Sequence, residues 1–127
     1  MAMTLITTNT ESGDSESIFS SSIDSTYKLY IFKFININPS GNGEDFQFSA
    51  ASDGETFNLA KSQTYFKSEH SEDDEDVAAI DYDQSYDAKA VTGYVPLARE
   101  IGNGADESGC GTLWLFNPSN TTYVKHY

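Results

Sequence analysis

The sequence predicts an all-β protein, an antiparallel β-sandwich of jelly-roll-like layout formed by residues 1–127 as a single domain. Three observations carry this expectation. Short runs rich in Val, Ile, Thr, Tyr and Phe recur along the chain and are punctuated by Gly, Pro, Asn and Asp. No window offers a long apolar stripe at helical spacing with caps at its ends. The ending holds two β-rich runs, Gly111-Thr-Leu-Trp-Leu-Phe-Asn117 and Thr121-Thr-Tyr-Val-Lys-His-Tyr127, around the turn Pro118-Ser-Asn120.

Taken in order, the first β-prone runs are residues 4–8 and 16–20, with Gly13-Asp14 between them. The stretch 7–25 is poor in apolar residues and rich in Ser, Thr and acids, so residues 1–25 are read as an N-terminal arm or a surface loop of the same domain. Residues 27–37, Tyr-Lys-Leu-Tyr-Ile-Phe-Lys-Phe-Ile-Asn-Ile, form the strongest strand signal. Tyr30, Phe32 and Phe34 fall on one side of it and Leu29, Ile31, Ile35 and Ile37 on the other. A strand apolar on both faces is covered twice or lies at an interface. Residues 45–49 alternate more cleanly, with Phe46 and Phe48 against Gln47 and Ser49. Asp53-Gly54 then reads as a hairpin turn, because Gly accepts the positive φ that a tight turn needs. Further strands are expected at 56–67, 77–82, 93–101, 111–117 and 121–127, with Gly102-Asn-Gly104 as a turn. No internal repeat and no linker interrupts the series.

Composition bounds the partners. The chain of 127 residues has seventeen aromatics, enough to furnish a core, and it carries twenty acidic against seven basic residues for a net charge of −13. That charge opposes binding to nucleic-acid phosphates and to anionic membranes. The expectation is no nucleic acid and no membrane partner. No basic and apolar leader is visible at the start and no run approaches the ~20 apolar residues of a membrane span, so a soluble protein is expected. Cys110 is the only cysteine, and it reads as a small buried hydrophobe at the entry to a strand, with no basic neighbour to activate it.

Signals for chemistry are weak. Glu72-Asp-Asp-Glu-Asp76, with Glu69, Asp81, Asp83 and Asp87, gathers nine acids in nineteen residues. Hard cations take several carboxylate oxygens, yet the run lacks the alternating acids and glycine bend that wrap ligands around one ion, so a solvated acidic loop is expected and no metal or other cofactor. His70 and His126 are the only histidines, and no nucleophile-elbow context accompanies them. No catalytic residue is assigned and no enzymatic activity is expected. Trp114 suits core or interface packing, or a platform on which a sugar ring stacks.

The stretch Ile23-Asp-Ser-Thr-Tyr-Lys-Leu-Tyr-Ile-Phe-Lys-Phe-Ile-Asn-Ile-Asn-Pro39, the Phe46-Gln-Phe-Ser and Ser52-Asp-Gly54 segments, and the ending from Gly111-Thr-Leu-Trp-Leu-Phe-Asn-Pro-Ser119 through Tyr123-Val-Lys-His126 carry a resemblance. They resemble a family of small proteins encoded by marine tailed bacteriophages, including phages of cyanobacteria and of other abundant ocean bacteria. The resemblance runs from about residue 5 to residue 127. Family members are described as uncharacterised or virion structural proteins, and the shared segments are strands and turns from which no functional residue transfers. The family has Ser-Gly ahead of Leu-His-Leu-Phe-Asn-Pro, whereas this chain has Cys110 and Trp114 at the departing positions.

The resemblance implies a structural virion protein, assembled in the host bacterial cytoplasm, whose partners are the major capsid protein or other virion proteins. Capsid decoration is the leading expectation: a small subunit, taken to be a homo-oligomer with a trimer as the first guess, cements adjacent capsomers through buried area. The alternative is a tail-fibre or tail-tip component that binds a host-surface glycan, with Trp114 or the tyrosines Tyr82, Tyr86 and Tyr94 as its platform. The residues expected to make interfaces are Tyr27, Tyr30, Phe32, Trp114 and His126, together with the arm.

Overall fold

The computed structural model describes residues 3–70 and 78–127. Among the described residues the regular structure is eight strands and one 3₁₀ turn: β1 (Leu29–Ile37), β2 (Glu44–Phe48), β3 (Lys61–Gln63), β4 (Phe66–His70), β5 (Ala78–Tyr82), the 3₁₀ turn Gln84–Tyr86, β6 (Ala88–Val91), β7 (Val95–Ile101) and β8 (Gly109–Phe116). The all-β expectation holds, and the sheets are antiparallel. The strands pair two by two, β1 with β8, β2 with β7, β3 with β6 and β4 with β5. Two compact units can be described in the chain, Met1–Glu44 with Glu100–Tyr127, and Asp45–Arg99.

In the first unit β1 runs antiparallel to β8, with Tyr30 opposite Leu115, Ile31 opposite Trp114 and Phe32 opposite Leu113. The ladder is regular as far as Phe34 opposite Gly111 and then shifts before Ile37 meets Gly109. Asn36 sits at this irregularity with φ 56°, a left-handed conformation that Asn tolerates better than most residues. Phe116 donates its N–H to His126 O at 2.9 Å, a single bridge on the outer edge of β8. The terminal run 121–127, read as a strand, is thus a bend with one bridge. Asn120 explains it: its side-chain oxygen accepts from the N–H groups of Thr122 (2.7 Å) and Tyr123 (2.9 Å) and diverts the backbone from a ladder. Residues 4–8 and 16–20, also read as strands, lie outside regular structure.

The second unit is built from the β3–β6 and β4–β5 pairs and nearly all of β2 and β7. The run 56–67 is two strands, β3 and β4, not one, and β2 turns out to pair with β7 and not with the residues after Asp53-Gly54. Asp53-Gly54 is nonetheless a turn. Gly54 has φ 81°, and the Asp53 carboxylate accepts from Glu55 N (3.0 Å) and Thr56 N (2.7 Å). These bonds, Thr56 first, favour the ionised carboxylate and hold its pKa down at about 2. Because the folded value lies below the ordinary aspartate value of 3.8, the turn gains stability above that pH and loses it as pH falls towards 2. An NMR titration should find Asp53 half-protonated near pH 2, and in Asp53→Ala this part of the acid limb of stability should vanish.

The core is small. Among the described residues Tyr30, Ala88, Val95, Ile101 and Leu113 are the buried hydrophobics, and Val95 is the most enclosed at 2% exposure. Lys61 is buried as well. Its amine donates to Leu59 O at 2.8 Å and to Ser49 Oγ at 3.2 Å, and burial pushes its pKa below the ordinary lysine value. The unfolded chain therefore binds this proton more readily, and the resulting penalty is lifted as pH rises through the alkaline range towards 10.5. Lys61→Met keeps the stem and removes the charge, so the difference in urea midpoint between wild type and variant is expected to shrink as pH rises from neutral to alkaline.

Candidate functional site

Alternation along the β1–β8 ladder decides what each face carries. Tyr30, Phe32, Phe34, Gly111, Leu113 and Leu115 share one face by register. Residues 19–24 lie against that face: the Phe19 and Phe32 rings meet edge to face at 5.3 Å, and Tyr30 Oη accepts from Asp24 N at 3.0 Å while donating to Asp24 O at 3.1 Å. Hydrogen bonds from Thr26 hold the Asp24 carboxyl below its ordinary pKa, fixing the turn that presents its backbone to Tyr30. Tyr27 adds an edge-to-face contact to Tyr30 at 5.9 Å.

The opposite face stays open. Leu29, Ile31, Lys33 and Ile35 of β1 and Cys110, Thr112, Trp114 and Phe116 of β8 alternate onto it. Ile35 is 78% exposed, Trp114 47% and Phe116 44%. The Trp114 and Phe116 rings lie nearly parallel, 17° apart, with centroids at 6.5 Å, as a half-exposed stacked pair. A single exposed apolar side chain needs no explanation, whereas a contiguous group on one sheet face marks a contact surface.

The five expected interface residues separate accordingly. Trp114 sits on the open face. Tyr30 and Phe32 lie on the covered face, where Tyr30 is 5% exposed and serves as a core residue with a hydrogen-bonded hydroxyl, and Tyr27, ahead of β1 and exposed, touches the Tyr30 ring. His126 lies on the outer edge of β8 with its side chain exposed. Cys110, read as buried, is exposed, because alternation sets it on the same side as Trp114.

Charge singles out the same ladder. Residues 25–43 and 108–127 hold Lys28, Lys33 and Lys125 and no Asp or Glu, although the chain has twenty acids. The ladder is a cationic, apolar island in an otherwise acidic molecule. This signal was present in the sequence, but only counting charge by segment reveals it; the net value hides it.

The second unit holds the remaining aromatics. Phe66 and Tyr82 stand opposite each other on β4 and β5 with centroids at 5.1 Å, and the Tyr82 hydroxyl donates to Asp87, which raises the tyrosine's pKa. The Arg99 guanidinium lies 3.6 Å from the Tyr86 centroid and pairs with Asp45 at 3.5 Å and Asp83 at 3.9 Å. One face of Tyr86 is thereby occupied by a cation. Tyr94 is exposed. The acidic run 72–76 lies outside the described residues. Among the described residues no group of three or more His, Cys, Asp or Glu side chains is placed to hold a metal ion, and no helix is long and apolar enough to cross a membrane.

Comparison with protein-family models, with curated proteins and with solved structures gives no match. The open face of the β1–β8 ladder is the strongest candidate for function that the chain itself presents.

Proposed function

We propose that the chain is a structural virion protein of a tailed bacteriophage, a capsid decoration or cement subunit that docks between capsomers and stabilises the shell. The sequence resemblance supplies the setting. The observation that supports a docking role is the open face of β1–β8, which exposes Trp114 and Phe116 at one end and Ile35 beyond Lys33. An aromatic cluster with a cation at its rim has the composition of an interface centre. The mechanism is burial of area: each docked copy contributes on the order of 1,000 Å² or more of contact, repeated over the shell, with no bond made or broken. The acidic remainder of the chain opposes adhesion to packaged nucleic acid.

The test is the copy number of this protein relative to the major capsid protein in purified particles, measured by mass spectrometry with labelled peptide standards. A simple ratio that scales with the shell is expected; complete absence from the particle overturns the reading. Substitution on the face adds a second test. Ile35→Glu with Trp114→Ala should leave stability within about 0.5 kcal/mol per site, since both side chains are exposed. The same pair should weaken retention on particles by about thirtyfold or more, the effect of losing interface hot spots of roughly 2 kcal/mol.

A second reading has its own support. The half-exposed Trp114 offers an indole ring on which a sugar can stack, as a tail-tip protein that binds a host glycan requires. A copy number of a few per particle, with glycan-array binding abolished by Trp114→Ala, would favour this reading over decoration.

A further inference from the structure

We infer that residues 3–8 of one copy of this chain add as a strand to the outer edge of β1 in a second copy. This inference rests on reading the chain as an assembly protein and names the partner as the chain itself.

The recipient is defined by hydrogen-bond parity. Asn117 N donates to Lys28 O at 2.7 Å, and Phe116 N points away from β1 to His126 O, so Leu29 faces Phe116 as a non-hydrogen-bonded pair. Alternation then turns the N–H and C=O groups of Leu29, Ile31 and Lys33 to the outer edge of β1. Among the described residues β1 pairs with β8 alone. An edge of this kind, long and β-prone and free of proline, is a template for another strand.

The donor is in the same sequence. Residues 3–8, Met-Thr-Leu-Ile-Thr-Thr, are uncharged and β-prone, lie outside regular structure, and expose Met3, Leu5 and Ile6. They extend from a loop closed on itself, where the Asn9 amide donates to Ser17 Oγ (3.0 Å) and Ile18 O (3.2 Å) and Ser17 Oγ donates to Glu11 at 2.8 Å. Two features match donor to recipient. The regular part of β1 ahead of its irregularity, residues 29–34, is as long as the run 3–8, about 20 Å when extended. The donor is followed by Glu11, Asp14 and Glu16, while the recipient carries Lys28 and Lys33 with no acid between residues 25 and 43.

Strand addition of this type leaves the face bearing Trp114 open, so self-association and docking to a different partner are compatible. If each copy donates and receives with the same mate, a closed pair results; if the mates differ, the copies form a ring where the rotation closes and an open chain where it does not.

Sedimentation velocity of the full chain in reducing buffer, over a range of concentrations, tests the inference. Wild type should associate with concentration. Lys33→Pro removes an outward N–H that the β1–β8 ladder does not use, and Ile6→Pro spoils the donor; each should raise the dissociation constant about tenfold or more, with circular dichroism and melting unchanged. An equimolar mixture of the two variants should recover a one-to-one complex, because the intact run of the Lys33→Pro copy finds the intact edge of the Ile6→Pro copy. Wild type that stays monomeric, or association that survives both substitutions, overturns the inference. These outcomes are independent of the virion reading, which stands or falls with the particle copy number.

Discussion

Replacing Tyr30 with alanine is expected to cost about 3–5 kcal/mol, the range for deleting a large buried aromatic, out of the roughly 5–15 kcal/mol that a small protein possesses. Tyr30 is 5% exposed, stands opposite Leu115 in the ladder, and receives the edge of Tyr27. Its hydroxyl both donates to and accepts from the backbone of Asp24, so it is the link that holds residues 19–24 against the covered face. Two substitutions separate these roles. Tyr30→Phe keeps the ring and loses the hydroxyl, and should cost about 1 kcal/mol, with faster amide exchange at Asp24. Tyr30→Ala should lower the urea midpoint several times more than Tyr30→Phe does. A Tyr30→Ala protein with a midpoint near wild type would contradict the packing described for this face.

The second large effect belongs to Val95→Asp. Val95 opens β7 and is 2% exposed, the most enclosed large side chain among the described residues. A carboxylate placed there loses its water without gaining a designed partner, and the expected result at neutral pH is loss of the folded second unit. Burial raises the pKa of such an acid, so the variant's deficit relative to wild type should narrow as pH falls and the carboxyl takes up its proton. Circular dichroism of both proteins from pH 7 to pH 4 reads this out. Val95→Ala, which creates a void and no charge, should cost only about 1–3 kcal/mol and show no such dependence on pH. A Val95→Asp protein that melts like wild type at pH 7 would mean that the site is wet.

What the sequence discloses of this fold depends on how much each strand relies on distant partners. β1, β2, β5, β7 and β8 lie close to the expected runs because their composition already favours extended backbone. β6 was not foreseen, since Ala88-Lys-Ala-Val91 carries little β-propensity and exists as a strand through its pairing with β3. The 3₁₀ turn Gln84–Tyr86 was missed although its signal was available, an Asp83 whose side chain accepts from Ser85 N. Conversely, the runs 4–8, 16–20 and 121–127 have strand composition without a ladder. The candidate site was half legible. Residues 27–37 were recognised as apolar on both sides, but the covering of one side by Phe19 and Asp24 depends on a chain reversal that propensity does not encode. Aromatic content alone therefore pointed to Tyr30 and Phe32, whereas Ile35 and Phe116 occupy the open side with Trp114.

The irregularity at Asn36 bears on how the edge of β1 can be extended. A flat nine-residue strand of such composition would offer the kind of uninterrupted template from which fibrils grow, each added chain presenting the same edge to the next. The break in register after Phe34 twists the backbone and spoils the far third of that edge. A chain arriving to extend the stack finds only a short stretch with regular spacing. One residue in a left-handed conformation, Asn36, thereby shortens the edge that such stacking could use.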